Sequence, residues 1–148
     1  MRDKLVKDLM SKDCVSATLQ DNIYELAVLM KQHDIGMVPI VEGKKLIGVT
    51  TDRDLVVRGY AEKHSGSTEV AQVMTSDVDT IHSGATADEA AQLMSAKQIR
   101  RLPVVDHGEL IGMISLGDLA IREVFVDEAG AALSQISQPG ENHLSTYH

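Results

Sequence analysis

Residues 46–54, LIGVTTDRD, are matched by residues 110–118, LIGMISLGD, which share LIG and the final aspartate. The likeness extends without a gap over residues 10–58 and 74–122, and many aligned positions are identical. A duplication of this length is typical of two copies of one structural unit. We therefore expect two tandem repeats that pack on each other about a pseudo-twofold axis.

Each repeat has the same predicted order of elements, β-α-β-β-α. A short extended stretch comes first, at residues 14–18 and 78–82, and an amphipathic helix follows it. The helix begins with an N-cap and N3 pair that predicts a capping box. These pairs are Asn22 with Glu25 and Thr86 with Glu89. A β-hairpin and a second helix complete each repeat, so the predicted fold class is α/β (α+β).

The repeats set the expected domain boundaries. Residues 6–60 form repeat 1, the polar segment 61–69 is a linker, and residues 70–124 form repeat 2. Residues 125–148 predict a C-terminal helical extension with a flexible acidic tail. The extension has a helical stripe of apolar residues at Phe125, Ala129, Ala132, Leu133 and Ile136. That stripe could cover the chain's own core or form a subunit interface, and the sequence leaves both open.

Composition narrows the classes of protein to consider. The chain has 148 residues, of which 43% are hydrophobic, which suffices for a folded domain. It has no apolar run of the roughly 18 residues that cross a membrane, so we expect a cytoplasmic protein without membrane association. The net charge of −8 disfavours nucleic acid as a partner. Cys14 is the only cysteine, which excludes an internal disulfide.

The repeated pattern G-h-x-[ST]-x-x-D, where h is hydrophobic, is the most informative motif. It places a strand directly before a helix at Thr51 and again at Ser115. A hydroxyl with an acid three residues later could be a capping box and nothing more. A hydroxyl beside a carboxylate also suits a nucleotide, because the carboxylate can accept sugar hydroxyls. The motif alone leaves both interpretations open.

Two β-α-β-β-α copies with an LPVV-type strand, LIG and this motif resemble the CBS domain pair, or Bateman module, over about residues 6–122. The resemblance is to a stand-alone bacterial-type CBS-domain-containing protein, and we expect no attached enzyme domain. It implies a regulatory sensor that binds AMP, ADP, ATP or S-adenosylmethionine in the cleft between the repeats. It also implies a homodimer, with a client protein as a further partner.

The resemblance assigns the ligand-binding residues by motif position. Asp54 and Asp118 would hold the ribose hydroxyls, while Thr51 and Ser115 would contact phosphate or ribose. Ser16 and Thr80 would each add a hydroxyl contact. The residues entering the first hairpin strand would line the adenine slot or reach phosphate. These are Ile35, Gly36, Met37, Ile99, Arg100 and Arg101.

The two repeats differ in charge around the motif. Repeat 1 has Arg53 in the motif, where repeat 2 has Gly117, but repeat 2 has Arg100 and Arg101 at the start of its strand. Arg101 could share one pocket with Arg53, which would favour phosphate there. Alternatively, Arg100 and Arg101 pair with surface acids and contribute little.

No sequence motif indicates catalysis or a metal. The six histidines never recur at metal-ligand spacing, and no nucleophile, Walker or zinc-protease motif is present. We therefore expect a protein that is not an enzyme and needs no cofactor. The rival hypothesis is a structural or oligomerisation module whose ligand sites are vestigial and which docks a client protein.

Overall fold

The computed structural model describes residues 4–120, which divide into two compact units. Residues 15–78 form one, called here the 15–78 unit. Residues 4–14 and 79–120 form the other, called the 79–120 unit. Residues 4–14, which precede the hairpin of repeat 1, thus belong to the unit that holds the hairpin of repeat 2. Residues 70–78, at the start of repeat 2, belong to the unit that holds the hairpin of repeat 1. The predicted helical extension and acidic tail at residues 125–148 lie outside the described residues.

The described residues contain both helices and strands, which confirms the predicted fold class. In chain order the elements are α1 (Val6–Leu9), α2 (Ile23–His33), β1 (Met37–Glu42), β2 (Lys45–Thr51), α3 (Asp52–Asp54), α4 (Ala87–Lys97), β3 (Arg101–Asp106), β4 (Glu109–Ser115) and α5 (Leu116–Ala120). Short helical turns of π or 3₁₀ type lie at Leu55–Gly59, Tyr60–Glu62 and Val70–Gln72.

Each unit contains one antiparallel hairpin. In the 15–78 unit β1 pairs with β2, and in the 79–120 unit β3 pairs with β4. The extended stretches predicted at residues 14–18 and 78–82 form isolated β-bridges and not full strands. Ala17 makes one parallel bridge to Ile40, and Ile81 makes one to Val104.

Both long helices begin with the predicted capping boxes. The Glu25 N–H donates to Asn22 Oδ1 at 2.9 Å, and the Asn22 N–H donates to Glu25 Oε1 at 3.0 Å. The Glu89 N–H donates to Thr86 Oγ1 at 3.1 Å in the same way. Such caps satisfy N–H groups that have no partner inside the helix, and each contributes about 1 kcal/mol.

Each unit has its own apolar core between its long helix and its hairpin. In the 15–78 unit the fully buried side chains of Leu26, Val38, Ile40 and Val70 pack together. In the 79–120 unit the core is built by Val6, Leu9, Ile81, Ala85, Ala87, Ala90, Ala91, Met94, Leu102, Val104, Ile114, Leu116 and Leu119. The amphipathic stripes read from the sequence therefore face these cores.

The glycine of each LIG stretch permits a second segment to cross close to the hairpin. A Cβ on Gly48 would lie 2.8 Å from the Thr75 carbonyl oxygen and 3.0 Å from Met74 Sδ. Next to it, Val49 and Thr75 exchange two backbone hydrogen bonds of 2.9 and 2.8 Å. Gly112 in the 79–120 unit has the same relation to the Ser11 carbonyl oxygen, at 2.7 Å. Any larger side chain would push these segments away from their hairpins.

At one buried position the repeats differ in polarity. Thr50 is fully buried on β2, and its hydroxyl has no hydrogen-bond partner within residues 4–120. The aligned residue of the other repeat is Ile114, which is apolar and also fully buried. An unpaired buried hydroxyl lowers stability by about 1 to 3 kcal/mol.

Thr50→Val should therefore raise the free energy of unfolding by about 1 to 2 kcal/mol, since it replaces the unpaired hydroxyl by a methyl group. Thr50→Ser is the control, because it keeps the hydroxyl and loses a buried methyl group, and it should destabilise the fold. Urea denaturation measures both changes. A destabilised Thr50→Val would mean that the hydroxyl has a partner.

A second difference lies at the turn end of the hairpins. In the 79–120 unit Asp106 Oδ1 accepts the Ser83 N–H at 2.9 Å, and Oδ2 accepts the Ser83 hydroxyl at 2.5 Å. These bonds lower the pKa of Asp106, with the side-chain bond as the largest cause. The aligned residues of the other repeat are Leu19 and Glu42, and leucine cannot donate such a bond.

This lowered pKa makes the contribution of Asp106 depend on pH. Because the folded-state pKa is below the ordinary value of about 3.9, the stabilisation is present above about pH 4 and is lost as the pH falls through the folded-state pKa. Ser83→Ala should therefore lower the unfolding free energy at pH 7, and the difference from the parent should narrow towards pH 3. Ser76→Ala, at an exposed serine, is the control. A difference that stays constant with pH would contradict this assignment.

Candidate functional site

The first candidate site lies where β2 runs directly into α3. Thr51 has extended backbone angles and caps the helix, since the Asp54 N–H donates to Thr51 Oγ1 at 3.0 Å. The Thr51 N–H donates in return to Asp54 Oδ2 at 3.0 Å. The motif of repeat 1 thus forms a complete capping box.

The motif of repeat 2 has the same geometry where β4 runs into α5. The Ser115 N–H donates to Asp118 Oδ2 at 2.8 Å, and the Asp118 N–H donates to Ser115 Oγ at 3.2 Å. In both boxes the N-cap N–H binds one carboxylate oxygen, Oδ2. The other oxygen, Oδ1, accepts no hydrogen bond from any residue within 4–120, so capping does not use up the carboxylate.

Backbone pairing brings the start of each first hairpin strand to the motif. Met37 lies opposite Thr51 in the β1–β2 register, and the Gly36 carbonyl accepts the Asp52 N–H at 2.9 Å. We call Gly36, Met37, Thr51, Arg53 and Asp54 site 1. It belongs entirely to the 15–78 unit.

The 79–120 unit assembles the matching residues in the same way. Arg101 lies opposite Ser115, and the Arg100 carbonyl accepts the Leu116 N–H at 2.9 Å. We call Arg100, Arg101, Ser115 and Asp118 site 2. The structure thus places Arg101 beside the motif of its own repeat, and its predicted sharing of a pocket with Arg53 stays a prediction.

Ser16 and Thr80 directly precede the residues that bridge in parallel to the first hairpin strand of their units, Ala17 to Ile40 and Ile81 to Val104. The residue after each donates its N–H to a strand proline: Ala17 to the Pro39 carbonyl at 3.0 Å, and Ile81 to the Pro103 carbonyl at 3.1 Å. Both Ser16 and Thr80 are exposed, so their hydroxyls are accessible. Their predicted ligand contact stays a prediction.

Ile35 and Ile99 contribute to the apolar cores. Each is half-buried and packs against the apolar core of its unit. Each also follows its long helix, with its N–H donated to the carbonyl of Met30 or Met94. Only the exposed part of each isoleucine side chain could line the predicted adenine slot.

The arginines give both sites positive charge. Arg53 is exposed at site 1, while Arg100 and Arg101 are half-buried at site 2. Within residues 4–120 neither Arg100 nor Arg101 forms an ion pair with an acid, so the alternative of pairing with surface carboxylates is not observed. Gly117 leaves site 2 open, because the nearest atom to a Cβ there would be Ser115 Oγ at 3.5 Å.

Two contacts of Asp54 were not anticipated from the sequence. Arg58 Nε lies 4.0 Å from Asp54 Oδ1, and the Thr75 hydroxyl lies 3.5 Å from Asp54 Oδ2. The spacing of four residues between Asp54 and Arg58 was a signal that could have revealed the first contact. Thr75 is far away in sequence, and no local pattern indicates it.

Other features of the described residues do not suggest a second chemistry. Burial raises the pKa of the Cys14 thiol, so little reactive thiolate forms at neutral pH. Within residues 4–120 no group of three or more His, Cys, Asp or Glu side chains could hold a metal ion. Over the same residues, every helix is too short or too polar to span a bilayer. A shallow pocket lined by Thr18, Leu19, Gln20, Val41, Glu42 and Gly43 lies at the turn end of the hairpin, away from site 1.

Comparison with known proteins identifies the family. The family model described as CBS domain matches residues 6–59 and 70–123. Two similar proteins of Bacillus subtilis (strain 168) are the uncharacterized protein YlbB and the CBS domain-containing protein YhcV. YlbB is 40% identical over 97% of this chain and 98% of its own length, and YhcV is 41% identical over 89% and 94%.

A solved structure with a similar fold contains bound ligands. The CBS domain pair of protein MJ0100 was crystallised in complex with 5′-methylthioadenosine and S-adenosyl-L-methionine. It matches with a TM-score of 0.70 and 31% identity over 80% of this chain and 94% of that one. With both repeats matched by the family model and the relatives matched over almost their full length, this chain belongs to the CBS domain family, as a tandem CBS pair.

Proposed function

We propose that this CBS pair is a ligand-sensing regulatory module that binds an adenosyl compound at sites 1 and 2 without transforming it. The candidate ligands are AMP, ADP, ATP and S-adenosylmethionine. The observation that carries the proposal is the Asp oxygen of each motif that the capping box leaves unused. Such an oxygen can accept a hydrogen bond from a ribose hydroxyl. A carboxylate whose two oxygens both accepted capping hydrogen bonds could not do so.

The charges around each motif suit the remainder of a nucleotide. Arg53 at site 1, and Arg100 and Arg101 at site 2, can attract phosphate groups. A ligand with phosphate at one end and a ribose at the other would use the arginine and the carboxylate together. The binding of two adenosyl compounds by the MJ0100 pair, a 31% identical relative, supports this class of ligand.

The absence of turnover is part of the proposal. The carboxylates of both sites are bound in capping boxes. The charged group beside Asp54, Arg58, stays protonated and can act neither as a general base nor as a nucleophile. A cytoplasmic location, expected from the composition, stays a prediction.

Calorimetric titration with the four adenosyl compounds tests the proposal. At least one should bind, and Asp54→Asn and Asp118→Asn should each weaken one site about tenfold or more, because a hydrogen bond to a charged acceptor is lost. Asparagine keeps an acceptor for the N-cap N–H and replaces the other carboxylate oxygen by a donor, so the capping box survives.

Asp77→Asn, at an exposed carboxylate of the 15–78 unit, is the matched control and should bind like the parent. Binding that neither Asp54→Asn nor Asp118→Asn weakens would show that the ligand lies elsewhere. No binding of any of the four compounds would refute the proposed ligand class.

A second candidate function is a structural module that forms a homodimer or docks a client protein. It is favoured by apolar side chains exposed just after the site 1 motif. Val56, Val57 and Tyr60 are 59%, 47% and 83% exposed. Exposed apolar side chains close together in sequence are typical of interaction surfaces. If no adenosyl compound binds, this candidate takes precedence.

A further inference from the structure

The carboxylate of Asp54 has a distinct partner on each oxygen. Oδ2 accepts the Thr51 N–H at 3.0 Å and lies 3.5 Å from the Thr75 hydroxyl. Oδ1 lies 4.0 Å from Arg58 Nε. The Asp54 side chain is only 15% exposed, so its orientation depends on these neighbours.

The guanidinium of Arg58 is fixed by backbone atoms. Its Nη1 donates to the Met74 carbonyl at 3.1 Å and lies 3.4 Å from the Val73 carbonyl. Those two residues are held in turn, because both of their N–H groups donate to the Val70 carbonyl at 3.0 Å. Although Arg58 is 50% exposed, its charged group is therefore held at one place beside Asp54.

The distance between the two charged groups has a chemical consequence. A charge-assisted hydrogen bond would be about 2.7 to 2.9 Å long, so at 4.0 Å the guanidinium attracts Oδ1 without forming one. The attraction orients the carboxylate, and the lone pairs of Oδ1 stay available. An acid four residues before a base on a helical segment is the favourable order for such a pair.

We propose that Arg58 is a positioning residue for site 1: it holds the Asp54 carboxylate so that Oδ1 is presented to the ribose hydroxyls of the ligand. The inference rests on the proposed function and adds a residue that touches neither the ribose nor the phosphate. Arg58 acts through Asp54, so its effect on affinity requires a ligand that has the hydroxyls.

The test compares ATP with 2′,3′-dideoxyATP, which has the same phosphates and lacks both ribose hydroxyls. All variants carry Asp118→Asn, which weakens site 2, so that the tight phase of the calorimetric titration reports site 1. Arg58→Gln removes the charge and keeps a polar side chain. It should weaken ATP binding about two- to fivefold, the size usual for a partly exposed ion pair, and leave 2′,3′-dideoxyATP binding unchanged.

Lys44→Gln is the matched control, because it removes one exposed positive charge from the hairpin turn of the same unit, and it should change neither affinity. Arg58→Ala provides a second variant, with the same expected result. An equal loss for both nucleotides would overturn the inference, since Arg58 would then contact phosphate or support the fold. Unchanged ATP binding in both Arg58 variants would overturn it as well. Failure of the unmodified chain to bind any of ATP, ADP, AMP and S-adenosylmethionine would instead count against the proposed function itself.

Discussion

The close approach of a backbone segment to each hairpin is the constraint on which the rest of the structure depends. Thr75 pairs with Val49 only because Gly48 has no side chain, and Ser11 pairs with Met113 beside Gly112 for the same reason. This packing brings the segment around Met74 to the back of site 1. There, its carbonyl groups hold Arg58, and the Thr75 hydroxyl lies near Asp54. The glycine of LIG thus shapes a site whose capping residue, Thr51, lies three residues later.

The capping and ligand-binding interpretations of the motif are compatible. The box fixes the hydroxyl, the helix start and the carboxylate relative to one another, and it uses only one oxygen of Asp54 and of Asp118. Preorganised groups lose less conformational entropy when a ligand binds. A residue pair that stabilises a strand-to-helix junction can therefore also present a binding surface, and the arginines near this junction differ between the two repeats.

Local patterns in the sequence predicted the hairpins and the capping boxes of the two long helices, because each depends on residues only a few positions apart. For the repeated motif, a capping box was one of two interpretations. The same reasoning overestimated the first strands, since Ala17 and Ile81 each make only a single bridge. It did not find the contacts of Asp54 with Thr75 or of Ser83 with Asp106. These join residues more than twenty positions apart, and only tertiary packing brings them together. The sequence identified the arginines near the two motifs, but the position of Arg101 opposite Ser115 follows only from the strand register.

The most direct test of the account is a nuclear magnetic resonance titration of the ¹⁵N-labelled chain with ATP, which follows each backbone amide. Binding at the two motifs predicts that the largest shifts occur at residues 51–54 and 115–118, with smaller shifts at Met37 and Arg101 on the facing strands. The amides of the hairpin turns at Gly43 and Gly108 should stay unchanged. Saturable shifts confined to other residues, or no shifts at all, would contradict the claim that these motifs form the ligand sites.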